Sequence, residues 1–157
     1  MKKIKYLLGS IILTLLLYGC ALESGPDKAS YQENMAKFFN NITALDEAIN
    51  ELDTTSEGYA DTLLVYLDQL KQTFSQMSEL EVPDGFDGVK ELAEDASKNM
   101  SDAVDKYHTA FESEEYRDDI INRAYVLYSK ASTEIQYIIR ILHGEKYENL
   151  TKTEETN

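Results

Sequence analysis

The sequence predicts an all-α protein, an antiparallel four-helix bundle that follows a cleaved N-terminal signal peptide. Apolar residues recur at alternating spacings of three and four through most of the 157-residue chain, as on one face of an amphipathic helix. Polar segments rich in Gly, Pro, Asp and Ser interrupt this pattern, and no stretch alternates apolar and polar residues as a strand does. Four helices with short connections are most simply arranged up, down, up and down.

The first predicted helix begins near residue 30 and carries an a/d heptad pattern. Its apolar positions are Tyr31, Met35, Phe38, Ile42, Leu45, Ile49 and Leu52. The segment Asp53-Thr54-Thr55-Ser56 follows, and its residue types favour the N-cap of a second helix from about Glu57 to Leu80. The second helix is apolar on more than one face, so we expect it to be the most buried.

The clearest break in the chain is the segment Glu81–Gly88. Pro83 removes a backbone donor there, and Gly85 and Gly88 favour turns. A third helix is predicted to start between residues 84 and 87. It contains many alanines, which would let a neighbouring helix approach closely.

The boundaries of the fourth helix depend on the acidic segment Glu112–Glu115. This segment either is a tight connection or lies at a kink in one continuing helix. The apolar positions of the fourth helix are Tyr116, Ile120, Ala124, Leu127, Ala131, Ile135, Ile138 and Leu142. Gly144 then favours a helix stop. We expect Tyr147 and Leu150 to form one last turn packed on the bundle, within a polar C-terminal tail of residues 146–157.

The N-terminus has the order of segments found in a secretory signal peptide. Residues 1–5 are basic, residues 6–17 are almost wholly apolar, and the small residue Gly19 precedes Cys20. The apolar run is shorter than the roughly 20 residues that a membrane span needs. Cys20 is the only cysteine of the chain, so it forms no disulfide within it.

The run Leu17-Tyr18-Gly19-Cys20 resembles the lipobox of bacterial lipoprotein precursors. The resemblance implies that the Cys20 thiol is acylated with diacylglycerol and that cleavage leaves Cys20 as the new N-terminus. The sequence departs from the family at Tyr18, where Ala, Ser or Thr is usual. The implied organisation is a signal peptide over residues 1–19, a lipidated tether over 20–29, a helical bundle domain over 30–145 and the tail.

More broadly, the chain resembles the small helical surface lipoproteins of unknown function that are common in Gram-positive bacteria. This second resemblance covers the signal, Cys20 and the Val82-Pro83-Asp84-Gly85 break before an Ala-rich acidic helix. It implies a location at the extracytoplasmic face of the cell membrane, with the lipid on Cys20 as the anchor. It supplies no catalytic residues.

The chain is strongly acidic, with a formal net charge of −14. Removal of residues 1–19 would take away three lysines and leave 12 basic against 29 acidic residues, a formal charge of −17. Nucleic-acid affinity comes largely from Lys and Arg that neutralise phosphates, so we expect no nucleic-acid partner. Anionic lipid headgroups would also repel the domain, and membrane attachment must therefore come from the acyl chains.

No motif for catalysis, a metal or a cofactor is recognisable. Asp105 and His108 have the spacing of a di-iron carboxylate–histidine pair, but no second pair exists, because Arg140 precedes His143 at that spacing. One cysteine cannot attach haem, and no serine lies in a hydrolase motif. We therefore predict a protein that is not an enzyme and has no cofactor or metal site.

Two acidic groups are candidate cation sites. One comprises Glu112, Glu114, Glu115, Asp118 and Asp119, and the other Asp84 and Asp87. Neither has the oxygen spacing of a calcium-binding loop. Solvated surface is the favoured interpretation, and weak cation binding is the alternative.

The chain has 11 tyrosines and no tryptophan. Tyr125, Tyr128 and Tyr137 lie partly off the apolar stripe of the fourth helix, and exposed tyrosines are enriched at protein interfaces. They are the predicted partner-binding residues, although a wide buried face could also absorb them. The preferred function is a membrane-anchored, non-enzymatic binding domain for a protein or cell-envelope component.

The alternative function is a helical bundle that holds a small apolar molecule or a cation between its helices. Small residues on the third and fourth helices would leave the space. They are Ala93, Ala96, Ala103, Ala124 and Ala131.

Overall fold

The structure is a computed structural model that describes residues 26–113 and 117–151. The described chain forms four long helices and a short one: α1 (Pro26–Asn50), α2 (Tyr59–Ser78), α3 (Val89–Phe111), α4 (Asp118–Leu142) and α5 (Tyr147–Thr151). Helices that follow each other in sequence pack side by side, and this confirms the predicted all-α four-helix bundle. The predicted signal peptide, Cys20 and residues 21–25 lie outside the described residues.

The first helix begins earlier than the sequence predicts. It starts at Pro26, inside the predicted tether of residues 20–29. Proline is well suited to the first position of a helix, because its missing N–H would have no partner there anyway. Residues 26–29, which the sequence analysis assigned to the tether, are therefore part of α1.

The residue that caps the start of α2 differs from the predicted one. The Thr55 backbone N–H and the Thr55 hydroxyl both donate to Asp53 Oδ1, over 2.9 Å and 2.7 Å, and the Ser56 hydroxyl donates to the Asp53 carbonyl over 2.9 Å. The predicted N-cap residues therefore form a turn. Gly58 takes the N-cap position, one residue before α2 begins at Tyr59.

The third helix begins at Val89, later than predicted, because two glycines extend the connection. Gly85 and Gly88 have φ angles of 89° and 79°, which favour glycine. Gly88 is also the N-cap of α3. A Cβ on Gly88 would lie 2.5 Å from Cγ of Tyr147 in α5, so a larger residue would push this helix away.

The predicted alternative of one helix running through Glu112–Glu115 is wrong. Helix α3 ends at Phe111 and α4 starts at Asp118, while residues 114–116 lie outside the described residues. The buried face of α4 is also rotated slightly from the predicted one, since Ile121 replaces Ile120 and Tyr128 replaces Leu127. Its buried residues are Ile121, Ala124, Tyr128, Ala131, Ile135, Ile138, Ile139 and Ile141.

The C-terminal end of the bundle is closed as the sequence predicts. Gly144 has a φ of 96°, and its N–H donates to the Ile141 carbonyl over 2.9 Å. The N–H of Glu145 donates to the Arg140 carbonyl over 3.0 Å, which completes the helix stop. Helix α5 packs against α4, and Leu150 is only 1% exposed. The predicted last turn is confirmed, and part of the predicted tail belongs to the bundle.

The core is continuous and places α3 at its centre. Helix α3 packs against both α2 and α4, and it buries nine side chains, whereas α2 buries six. The expectation that α2 is the most buried helix is wrong, because its extra apolar residues include the exposed Val65. No helix among residues 26–113 and 117–151 is long and apolar enough to cross a bilayer.

Candidate functional site

The least tightly packed junction in the bundle lies between α1 and α4. Helices α3 and α4 approach each other closely along their length, while the backbones of α1 and α4 hardly approach. A cavity of about 30 Å³ lies in this junction. Its lining includes Ile42, Thr43 and Asp46 of α1 and Tyr128, Ser132 and Gln136 of α4. We call these six residues the α1–α4 seam.

The other residues that line the cavity are apolar. They are Leu70 and Phe74 of α2, Met100 of α3 and Ile135 of α4. A cavity of about 30 Å³ has room for roughly two water molecules. Larger guests would require α1 to move away from α4.

Asp46 of α1 and Tyr128 of α4 contact each other within the α1–α4 seam. The Tyr128 hydroxyl donates to Asp46 Oδ1 over 3.4 Å, and Asn50 Nδ2 donates to Asp46 Oδ2 over 3.3 Å. Burial raises the pKa of the Asp46 carboxyl, and the two donated hydrogen bonds oppose that rise. Burial and the nearby Asp46 charge raise the pKa of Tyr128, so its hydroxyl keeps the proton that it donates.

The structure brings two of the three predicted partner-binding tyrosines together. Tyr125 and Tyr128 lie about one turn apart on α4, and Tyr128 contacts Asp46 of α1. Tyr125 is 42% exposed, but Tyr128 is only 8% exposed and offers almost no surface to a partner. Tyr137 is half-buried and lies about a third of a turn around the helix from Tyr125. The three residues therefore do not form one exposed face.

Tyr125 and Tyr128 belong to a larger group that we call the tyrosine cluster: Tyr59, Tyr107, Tyr125 and Tyr128. Burial raises the pKa of Tyr107, and the electrostatic influence of Tyr125 and Tyr59 raises it further. The Tyr107 ring stacks on Phe111, with centroids 6.4 Å apart. Its buried hydroxyl has no hydrogen-bond partner among the described residues. The cluster lies toward the distal end of the bundle, which holds the α1–α2 and α3–α4 connections.

Val126 is a surface residue that the sequence analysis missed. It is 53% exposed and directly follows Tyr125. The described residues expose three large hydrophobic side chains in all, and the third, Val65 of α2, is 55% exposed. The sequence did contain a signal for Val126, because this apolar residue lies off the apolar stripe predicted for the fourth helix. A search for the buried stripe alone does not find such a residue. Tyr125 and Val126 form an exposed pair beside the tyrosine cluster.

His108 has different partners from those that its sequence spacing suggested. Its Nε2 lies 2.9 Å from Asp68 Oδ1 of α2, and its Nδ1 lies 2.8 Å from Glu112 Oε1. Asp105 pairs instead with Lys71 of α2, over 2.6 Å. The two carboxylates meet opposite sides of the imidazole ring and do not converge on a common point. Within the described residues, no group of three or more His, Cys, Asp or Glu side chains has the geometry to hold a metal.

The acidic groups near the helix ends have ordinary surface partners where the structure describes them. Glu112 contacts His108, and Asp119 accepts two hydrogen bonds from Arg117, over 3.0 Å and 3.2 Å. Arg117 lowers the pKa of Asp119 through these bonds. Glu114 and Glu115 lie outside the described residues, and Asp84 and Asp87 are exposed.

The five alanines that the sequence analysis offered as ligand space lie away from this cavity. All five alanines are buried, and none of them lines the cavity. They lie on α3 and α4, the two helices that pack most closely, so their small size brings the helices together. The cavity lies instead among larger side chains.

No family model matches this chain, and no curated protein or solved structure is similar to it. The residues and their geometry therefore carry the functional argument.

Proposed function

We propose that this protein is a lipid-anchored, extracytoplasmic binding domain that engages a protein partner through Tyr125 and Val126. The observation that carries the binding role is this exposed apolar pair beside the tyrosine cluster. The resemblance of Leu17–Cys20 to a lipobox supports the anchor. The role is binding and not catalysis.

The anchor would orient the bundle relative to the membrane. Two acyl chains on Cys20 suffice for stable attachment. Only residues 20–25 separate the anchor from α1, and six residues span at most about 20 Å. Helix α1 has 25 residues and is therefore about 37 Å long. The distal end, with its exposed pair, would face away from the membrane and toward other envelope proteins.

The exposed pair has the chemistry of an interface centre. Tyrosine combines a large apolar ring with a hydroxyl and costs little conformational entropy on binding, so it is frequent among residues that dominate binding energy. Tyr125 is 42% exposed, so more than half of its surface is already covered by the bundle. Such a partly ordered aromatic side chain loses less freedom on binding than an isolated one.

The charge of the chain indicates the kind of partner. A net charge of −14 repels anionic polymers and attracts proteins with a basic surface. Electrostatic attraction of this kind raises the association rate and weakens as salt is added. We therefore propose a partner with positive charge around an apolar contact, and we expect its association rate to fall with ionic strength.

Crosslinking of the full-length, membrane-bound protein followed by mass spectrometry tests the binding role. We expect one stoichiometric partner with the wild type. The double variant Tyr125→Ala, Val126→Ser should recover at least tenfold less of it, while Val65→Ser should recover it normally. Val65 is a matched control, because it is an equally exposed valine on another helix. Equal recovery by all three proteins would refute the proposed surface.

The anchor is tested separately with Cys20→Ala. We expect the wild type in the membrane fraction, with an N-terminal peptide that begins at Cys20 and carries a diacylglyceryl mass. The Cys20→Ala protein should keep residues 1–19 and carry no lipid. Detection of the same cleaved, lipid-modified N-terminus in the variant, or of an unmodified Cys20 in the wild type, would contradict the anchor.

A small-ligand function is a second candidate, supported by the cavity in the α1–α4 seam. At about 30 Å³ the cavity admits only water-sized guests without a shift of α1. A thermal-shift screen against metal ions and lipids tests this candidate. A saturable rise in melting temperature that Ser132→Leu abolishes would favour it, and no shift would remove it.

A further inference from the structure

Two cross-helix contacts join α2 to the C-terminal half of α3. Asp68 and Lys71 of α2 meet His108 and Asp105 of α3, over 2.9 Å and 2.6 Å. Glu112, which caps the C-terminus of α3, reaches back to His108 over 2.8 Å. We call these five residues the α2–α3 ladder. Within the described residues, the two charged groups that contact His108 are Asp68 from α2 and Glu112 from α3, while Lys71 and Asp105 pair with each other.

The geometry of His108 favours two protons on its ring. A carboxylate can only accept a hydrogen bond, and each ring nitrogen of His108 faces one. A neutral imidazole has a single N–H, so one nitrogen would turn a lone pair toward a carboxylate oxygen. The imidazolium donates from both nitrogens and satisfies both contacts.

We propose that His108 is a pH-sensitive clamp, which holds α2 and the C-cap of α3 together while protonated and releases one of its two carboxylates when it loses a proton. The position of the clamp gives it a consequence for the distal end. His108 directly follows Tyr107 in α3. The end of α3 that the clamp holds is therefore the part of the helix that contributes Tyr107 to the tyrosine cluster. The inference rests on the ladder alone and does not depend on the proposed partner.

The direction of the pH effect follows from proton linkage. The hydrogen bonds to Glu112 and then Asp68 raise the pKa of His108, and partial burial opposes them. The folded protein therefore binds this proton more tightly than the unfolded chain does. The clamp is fully formed below the unfolded histidine pKa of about 6.5. It is lost as the pH rises through the higher, folded-state pKa.

NMR titration of the histidine ring protons in the full-length, detergent-solubilised protein gives the first test. The chain has two histidines, and His143→Asn identifies the His108 signal. We expect the His108 midpoint above the ordinary value of about 6.5, and we expect Asp68→Asn and Glu112→Gln each to lower it. A midpoint at or below that value, or one that neither variant lowers, would overturn the clamp.

Amide hydrogen exchange across the same pH range tests the structural consequence. After correction for intrinsic exchange, the last turn of α3 in the wild type should lose at least threefold protection as His108 deprotonates. His108→Gln should show no such step, whereas His143→Gln should keep it. Lys71→Met is a further control, because it removes the neighbouring ladder pair and should leave the step in place. A step of equal size in wild type and His108→Gln would refute the proposal, and the ring titration remains decisive if His108→Gln does not fold.

Discussion

Helix α4 has two long neighbours, and it packs against them in different ways. Toward α3 it presents small residues, and the Asn99–Glu134 hydrogen bond aligns the two helices in antiparallel register. That register brings Ala103 level with Ala131, both fully buried. Toward α1 it presents Tyr128, whose hydroxyl reaches Asp46 across the seam.

The difference shows how side-chain size sets helix spacing. Facing alanines let two helix axes approach to about 8 Å, whereas larger side chains hold them about 10 Å apart. The α3–α4 pair is therefore close, and the five alanines are buried in it. The α1–α4 seam is wider and contains the small cavity. Helix α1 is held instead by phenylalanines: Phe38 packs edge-on against Phe74 of α2, with ring centroids 5.3 Å apart.

Both sides of α4 also hold a half-buried carboxylate. Asn99 Nδ2 donates to the two oxygens of Glu134 over 2.8 Å and 3.1 Å, and Tyr128 donates to Asp46 over 3.4 Å. Burial raises the pKa of both carboxyls. The hydrogen bonds to Glu134, between the closely packed α3 and α4, are shorter than the hydrogen bond from Tyr128 to Asp46, between α4 and α1.

The largest expected effect concerns the attachment of α1. Phe38→Ala should lower the free energy of unfolding by about 3–5 kcal/mol, because it removes a buried ring from the α1–α2 contact. Urea unfolding measures the loss, and hydrogen exchange should show that α1 loses more protection than α3. Equal loss of protection in α1 and α3 would mean that α1 is not held separately.

The next prediction tests the two sides of α4 with the same substitution at adjacent positions. Ala131→Leu should cost about 1–3 kcal/mol, since it overpacks the α3–α4 contact. Ser132→Leu should change stability by less than about 1 kcal/mol, because its side chain can enter the cavity. Chemical denaturation of both variants decides the matter. Similar losses of stability in the two variants would show that the two sides of α4 do not differ in packing.

Asp46→Asn should have a smaller, pH-dependent effect. Burial raises the pKa of Asp46 in the folded protein above the pKa of an unfolded aspartate. The contribution of Asp46 to the free energy of unfolding therefore falls as the pH rises from the unfolded pKa to the folded pKa, and it stays constant at higher pH. The variant should therefore gain on the wild type from pH 3 to pH 7, by less than about 1 kcal/mol, since Asp46 is only half-buried. Thermal unfolding at several pH values measures this. A constant difference between the two proteins would contradict it.

The smallest effect is expected for Tyr128→Phe. Loss of the 3.4 Å hydrogen bond should cost about 0.5 kcal/mol, because water can replace the donor at the half-buried Asp46. The same change should raise the pKa of Asp46 further, since the bond from Tyr128 lowers it. Carboxyl NMR titration measures that pKa. An unchanged Asp46 pKa would show that the two residues do not interact.

Sequence reasoning found the helices, their connections and most of their buried faces, but it misplaced part of the buried face of α4. The heptad of α1, the break at Pro83 and the stop at Gly144 all appear in the structure. On α4, Ile121 and Tyr128 are buried in place of Ile120 and Leu127, while Ala124, Ala131, Ile135 and Ile138 are buried as predicted. The sequence leaves the burial of Tyr128 open, because a tyrosine at the edge of a stripe can face either way, and the exposure of Val126 was missed.

By itself, the sequence determined the number, approximate length and order of the helices. Helical periodicity and turn chemistry are local properties, readable within a few residues. Only the tertiary structure decided which polar groups meet. Asp68 and His108 are 40 residues apart in the chain, and Asp46 and Tyr128 are 82 apart. Their contacts depend on the spacing and register of packed helices, which the facing side chains set together and which no single segment encodes.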